Sequence, residues 1–372
     1  MTAPSVPPSS LEIDDALRAA HVVALPMRTR FRGQTVREAM LLQGPAGWAE
    51  FAPFPEYSAE ESAAWWGGAL EAGWSAARSV RREAIPVNAT VPAVPPREVE
   101  GVLSQFGALE RIPAVKVKVA ESGQRLEDDV ARFREVRRLL PQAGIRADAN
   151  GGWSLEEAER AVAALGEVAG DALEYVEQPV AGIEPLADLR ERLQRRGIAV
   201  KIAADEAVRK AADPLRVARL GAAEILVVKA APLGGVERAA QIVAESGLDA
   251  VVSSALDTSI GLTRGLALAA RLERLPYACG LGTVALLARD VVAEPLIPAE
   301  GFLSVPLQEG RPAAPSPSPQ VLQECAVSPE RRQWWVHRAQ QAHELWRGRT
   351  EPQGHPGSSA EGRSAAAGTC AI

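Results

Sequence analysis

The chain of 372 residues is 47% hydrophobic and 24% charged, which reads as globular, with one large domain and a smaller companion. Its formal net charge of −6 leaves no electrostatic footprint for nucleic acid or for an anionic membrane, so a small or acidic ligand needs a local basic site. Three scattered cysteines, Cys279, Cys325 and Cys370, make no disulfide framework and no metal-ligand spacing; with neither a signal peptide nor a run near the roughly 18 apolar residues of a membrane span, the sequence reads as cytoplasmic.

Residues 1–10 and 349–372 are rich in Pro, Ser, Gly and Ala with little to bury, and disordered ends are expected there. Across 11–83, short apolar runs (HVVALPM, AMLLQG, WAEFAPF) surround a helix-like segment that opens on the capping-box spacing of Ser58 and Glu61. That mixture predicts a small α+β domain. From 84 to 300 the rhythm changes to compact β-rich runs at 86–93, 114–120, 144–150, 172–179, 198–206, 223–230, 249–256 and 276–283. Between them lie segments with apolar residues at three- and four-residue steps, one opening on a second capping box, Ser154 and Glu157. Strand–helix alternation on this scale implies a parallel sheet. Eight such strands fit a closed (β/α) barrel of the TIM type better than an open doubly wound sheet, and no GxGxxG opens the first unit. Residues 301–348 are expected to pack back on the barrel and its companion.

Lysine is scarce: only five of the 41 lysines and arginines are lysine, and three of these sit in PAVKVKVA and ILVVKAAPLGG. Arginine keeps its proton at any accessible pH, whereas lysine can be pushed toward neutrality, so Lys116, Lys118 and Lys229 stand where a titratable amine could matter. In a (β/α) barrel, catalytic groups project from the C-terminal ends of strands. The inventory there is Lys116 and Lys118, then Asp148 with Asn150, then Glu177, then Asp205 with Glu206, then Lys229. Successive members are roughly one strand–helix unit apart, about 30 residues, which brings them to one pocket. Three carboxylates packed together repel unless a cation offsets them. Hard oxygen ligands with no His or Cys nearby favour Mg²⁺, with Mn²⁺ as a possible substitute. All four histidines, His21, His337, His343 and His355, fall outside the barrel runs, which leaves lysine as the base. Alternation puts Lys116 and Lys118 on one face, where one amine and the metal lower the pKa of the other.

Blander readings stand beside this one. Each acid could cap a helix, Glu206 could compete with Asp205 for the ion, and Lys201 reads as structural. Gly234 and Gly235 could bind an anion at a helix start or simply turn the chain. Ser253 and Ser254 lack a partner histidine, which argues against a nucleophilic serine. Cys279 reads as a buried apolar side chain. Trp48, Phe51 and Phe54 could line a pocket or merely pack.

The segments VKVKVAESG, RADANGGWS, EYVEQP, IAADEAVR, VVKAAPLGG, VVSSALDTSIGL and YACGLGT resemble the enolase superfamily, and within it the o-succinylbenzoate synthases of the actinobacterial type. The likeness runs from about residue 20 to near Trp346. It implies an N-terminal capping domain over the barrel, with FRGQTVRE (31–38) as a loop that closes the mouth. It implies Lys118 as the base, Lys229 as the opposite lysine, and Asp148, Glu177 and Asp205 as metal ligands. Lys116, Arg146, Asn150, Ser253 and Ser254 fall close to a small-molecule carboxylate substrate. The implied reaction is dehydration of 2-succinyl-6-hydroxy-2,4-cyclohexadiene-1-carboxylate to 2-succinylbenzoate, a step of menaquinone synthesis. An N-acylamino acid racemase on the same site is the nearest alternative, a Schiff-base lysine aldolase and a non-catalytic binding module being more distant ones.

Overall fold

A computed structural model describes residues 13–31, 33–210 and 213–350. The ends expected to be disordered, 1–10 and 351–372, lie outside the described residues; Arg349 and Thr350 instead continue the last helix.

The N-terminal unit begins with a short helix α1 (Ile13–Arg18) and an antiparallel meander of β1 (His21–Phe31), β2 (Gln34–Gly44) and β3 (Gly47–Phe51). Helix α2 (Ala59–Trp74) follows, and its start forms as the sequence predicts: Ser58 Oγ accepts from the Glu61 amide at 3.2 Å while the Glu61 carboxylate accepts from the Ser58 amide at 3.1 Å.

A three-residue pairing segment β4 (Ala84–Pro86) leads into the barrel. Its parallel strands are β5 (Ala89–Val91), β6 (Ala114–Lys118), β7 (Gly144–Asp148), β8 (Leu173–Glu177), β9 (Ile202–Ala204), β10 (Ile225–Val228) and β11 (Asp249–Val252), hydrogen-bonded in chain order. These strands are buried on both faces almost throughout, as a sheet wrapped by helices must be. The connecting helices are α3 (Val99–Leu103), α4 (Leu126–Leu139), α5 (Leu155–Ala169), α6 (Ile183–Arg195), the single turns α7 (Glu206–Arg209) and α8 (Arg216–Arg219), then α9 (Val236–Ser246) and α10 (Ser259–Arg271). Helix α5 starts on the second predicted capping box.

The eighth expected strand, within 276–283, is not a regular one. It closes the ring through single bridges on both sides: Cys279 exchanges backbone hydrogen bonds with Pro86 and Asn88 at 2.7 and 3.0 Å, and Gly280 with Val252 and Ser254 at 2.8 and 3.0 Å. Seven regular strands and this seam make the expected barrel. The run DPLRVARLG yields only the one-turn α8, shorter than its apolar spacing suggests.

After the barrel, β12 (Phe302–Ser304) pairs antiparallel with β4, and β13 (Leu307–Gln308) with β14 (Arg311–Pro312). Helices α11 (Pro319–Glu324) and α12 (Pro329–Thr350) then return to the N-terminal unit. Helix α12 packs along α2, where Trp66 Nε1 donates to His343 Nδ1 at 3.1 Å and the Phe51 ring meets Trp66 and Trp335 edge-on. One continuous apolar core runs through both units. Among the described residues no helix is long and apolar enough to cross a membrane.

Candidate active site

Parallel register fixes the height of the charged groups. Lys118 pairs with Asp148, Asp148 with Glu177, and Glu177 with Ala203, one step before the end of β9, so the ends of β6, β7 and β8 lie in one layer. Asp205 follows β9 directly, and Lys229 follows β10. All five side chains are buried. The five sequence-predicted groups therefore converge at the C-terminal mouth.

Their contacts are charge-assisted and short. Lys118 Nζ lies 2.6 Å from Asp148 Oδ2 and 2.6 Å from Asn150 Oδ1. Lys116 Nζ reaches both Glu177 oxygens at 3.1 and 3.2 Å and Asp148 Oδ2 at 3.2 Å. Lys229 Nζ lies 2.5 Å from Asp205 Oδ2, whose Oδ1 accepts from Arg209 Nε at 3.0 Å. Arg209 also donates to Glu206 Oε1 at 2.6 Å and to the Tyr57 hydroxyl at 2.8 Å. Glu206 is thereby held by Arg209 and by Asn150 Nδ2, at 3.2 Å, and Asp205 is the acid that faces the lysine.

Crowding sorts the acids. Burial raises the Asp148 carboxyl, but Lys118 and Lys116 outweigh it and hold the group far below the ordinary range. Asp205 behaves likewise against Lys229 and Arg209. Glu177 goes the other way: burial, then the neighbouring Asp148 charge, push it up to about 7 despite Lys116. Lys116 does not carry the depressed pKa expected of a lysine pair. Burial pulls it down, yet the charges of Glu177 and Asp148 overcome this and raise it.

The three acids suit a hard divalent cation in donor chemistry, being oxygen-only, buried and mutually repelling enough to leave Glu177 half-protonated near neutrality. As they stand, ammonium groups are interposed between them, and among the described residues no three His, Cys, Asp or Glu side chains already form a cradle.

The pocket above this layer is lined by Lys116, Lys118, Asp148, Asn150 and Lys229, by Ser253 and Ser254, and by Thr90, Thr283 and Gly280. Ser254 Oγ lies 2.6 Å from Thr283 Oγ1 and donates to the Gly280 carbonyl at 3.0 Å. The roof is apolar: Phe31 at the β1–β2 hairpin tip, Phe54 after β3, and Leu256. Phe31 lies 5.3 Å from the Lys118 ammonium. Of the three aromatic residues left open by the sequence, Phe54 faces the pocket, Phe51 is core, and Trp48 packs beside the meander.

Arg146 is not on the pocket. Two residues before Asp148 on the same strand face, it lies one layer lower, stacked on Tyr175 and Tyr277 and bonded to Glu174, Asn88 and the Ala278 carbonyl. The Gly234–Gly235 helix start is taken by the protein itself, since Glu71 accepts from the Val236 amide at 2.9 Å, and a Cβ on Gly235 would strike that carboxylate. Lys201 bonds to Tyr277 at the opposite end. Thr90 and Thr283 escaped the sequence reading because it weighed ionisable groups; the alternation of Asn88 and Thr90 in PVNATVPA was the available clue.

A closed parallel barrel with acids and lysines at its strand ends, under an α+β cap, defines the class of protein: residues 22–73 match the enolase N-terminal domain-like family and residues 98–313 the enolase C-terminal domain-like family, so the chain belongs to the enolase superfamily, whose members depend on a divalent metal ion. Among solved structures it resembles muconate lactonizing enzyme from Pseudomonas fluorescens, with a TM-score of 0.68 at 19% identity over 83% of this chain and 98% of that one; this likeness concerns the fold. Closer relatives carry the particular family. The chain is 51% identical over 333 residues to the o-succinylbenzoate synthase of Mycolicibacterium smegmatis (90% of this chain, 98% of the relative) and 48% identical over 338 residues to that of Mycobacterium marinum (91% and 97%). It is a member of the o-succinylbenzoate synthase family.

Proposed function

We infer that the chain dehydrates 2-succinyl-6-hydroxy-2,4-cyclohexadiene-1-carboxylate to 2-succinylbenzoate in menaquinone synthesis, with Lys118 as the base and Mg²⁺, replaceable by Mn²⁺, held by Asp148, Glu177 and Asp205. The observation that carries this reading is the single buried layer in which Lys118 and Lys229 flank those three acids, with both lysines and Asp148 lining one pocket. The ion supplies Lewis-acid stabilisation of charge developing on the substrate carboxylate.

The chain's own groups do the rest. Lys118 Nζ removes the proton α to the carboxylate, and Asn150 aims it through the 2.6 Å contact. Asn150 adopts a positive φ of 48°, a conformation that Asn tolerates better than most residues. Lys229 keeps its ammonium on the opposite side of the ring, where it offsets charge building on the substrate. The proton gained by Lys118 then goes to the departing 6-hydroxyl, which leaves as water while the C–O electron pair departs with it and the ring becomes aromatic. Phe31, Phe54 and Leu256 keep bulk water from the ring. Ser253 and Ser254, with the hydroxyls of Thr90 and Thr283, offer hydrogen bonds to the substrate's polar end.

The test is a coupled assay with the cyclohexadiene substrate run beside deuterium exchange on N-succinylamino acids, each repeated with Lys118→Ala. Turnover of the former that disappears in the variant supports the dehydratase. Exchange without dehydration would replace it with racemisation.

A further inference from the structure

Between the cap and the barrel, away from the reacting layer, three ionisable side chains are buried together: Arg37 on β2, Glu50 on β3, and Asp257 in the loop after β11. Arg37 is 1% exposed, and its Nε donates to the Leu256 carbonyl at 3.0 Å while Nη2 donates to the Ala52 carbonyl. Its guanidinium also lies over the Phe54 ring, 4.6 Å from the centroid. Phe54 and Leu256 are two of the three apolar residues that roof the pocket, one from each unit. Arg37 therefore touches both walls from behind without touching the cavity.

The loop it grips is under backbone strain. Leu256 sits at φ +60°, a left-handed conformation that a branched apolar residue adopts only when its surroundings impose it. Its neighbours impose it. Asp257 Oδ2 accepts from the Ala255 amide at 3.2 Å, and Glu50 Oε2 accepts from the Thr258 amide at 3.1 Å and the Thr258 hydroxyl at 2.5 Å. Gly261 lies beneath, where a Cβ would come within 2.7 Å of the Glu50 carboxylate. Strain held by a buried charged network at a pocket wall marks an over-determined geometry, and such geometry belongs to binding sites more often than to cores.

We propose that Arg37, gripping a loop that Glu50 and Asp257 brace, is a positioning residue: it clasps the cap to the β11–α10 loop so that Phe54 and Leu256 close on the ring of the bound carboxylate. It acts on ground-state and transition-state binding alike, because neither wall residue carries a reacting atom. Burial and the Asp257 charge push Glu50 up to about 8, so at pH 7 it is largely protonated and can donate as well as accept.

This inference rests on the dehydratase reading for the choice of ligand. The measurements are steady-state kinetics with the cyclohexadiene substrate, calorimetric binding of 2-succinylbenzoate, and calorimetric binding of Mg²⁺, on wild type, Arg37→Lys, Arg37→Met, Glu50→Ala and Glu50→Gln. Arg37→Lys keeps the charge but cannot reach two carbonyls and a ring at once; KM and the product Kd should rise at least about tenfold, with kcat within about threefold and Mg²⁺ affinity unchanged. Glu50→Ala should share that phenotype and Glu50→Gln should reverse it. Should Arg37→Met fail to fold, Arg37→Lys and the Glu50 pair still decide. Unaltered product affinity in Arg37→Lys overturns the clasp, as does a loss of Mg²⁺ affinity in parallel, which would indicate general collapse of the site. A wild type that turns over no cyclohexadiene carboxylate would instead sink the dehydratase.

Discussion

Glu177 offers the sharpest quantitative test, because it is fully buried and carries a carboxyl raised from the ordinary 4.5 to about 7 by burial and by Asp148. Consider Glu177→Gln in protein stripped of divalent ions. In the folded wild type the group still holds its proton between those two pH values, whereas in the unfolded chain it has lost it. Folding then takes up a proton, so the stability contributed by the protonated group is complete below pH 4.5 and is lost as pH climbs through 7. Converted by linkage, the interval is worth about 3 kcal/mol. Gln is neutral throughout and keeps an oxygen for Lys116, so the variant lacks this slope. The assay is urea unfolding in chelator at half-unit steps from pH 4.5 to 7.5, comparing the two proteins at each step. Buried acids remote from Glu177 contribute equally to both curves. The wild type should lose about 3 kcal/mol relative to the variant across the window. Parallel curves would refute the crowded-acid picture of the site.

The remaining expectations follow from the same contacts. Lys118→Ala should lower kcat/KM for the cyclohexadiene substrate by about 10²- to 10⁴-fold, roughly 3 to 5 kcal/mol of barrier, with near-UV circular dichroism unchanged. Divalent-ion affinity, read by calorimetry, should climb about tenfold per pH unit up to about 7 and then level, because Glu177 must shed its proton to ligate. Arg209→Met should weaken that affinity by about 10- to 100-fold by freeing one oxygen of Asp205, with Tyr57→Phe milder, since the Tyr57 hydroxyl bonds to the arginine and not to the acid. Ser154→Ala should cost about 1 kcal/mol in urea unfolding without altering turnover, through loss of the cap on α5.

Much of this site is legible in the sequence. Period-two alternation and the even spacing of strand ends placed Lys118, Asp148, Glu177, Asp205 and Lys229 together, because in a parallel barrel neighbouring strands end at one level. Alternation gives the face of a strand but not the depth of the pocket floor, and so Arg146, on the correct face, proved to lie one layer too low. The closing segment read as a strand from its composition, yet it pairs only through Cys279 and Gly280, because Pro276 and Gly282 bracket so short a stretch. The clasp had no local signature at all. Arg37, Glu50 and Asp257 are brought together by the docking of a meander on a distant loop, with up to 219 residues between bonded partners, and no periodicity encodes that.

The direction of the Lys116 shift carries the most physical content. Two lysines on one strand face suggested mutual depression, but that argument counted cations and omitted the acids' reach across the register. With Glu177 and Asp148 within 3.2 Å, Lys116 is a firmer ammonium than a free lysine, not a weaker one. A buried ammonium among three carboxylates is a counter-charge, and a divalent cation held by the same oxygens would compete with it for that role. Base chemistry at this layer is therefore conditional on the acids being engaged elsewhere. Such a condition explains why lysine, which can respond to the change by yielding a proton, occupies three strand-end positions in a chain that otherwise favours arginine. The two lysines outside the pocket fit the same view by contrast: Lys201 and Lys210 sit over tyrosine rings and beside single partners, work that an arginine could do equally well.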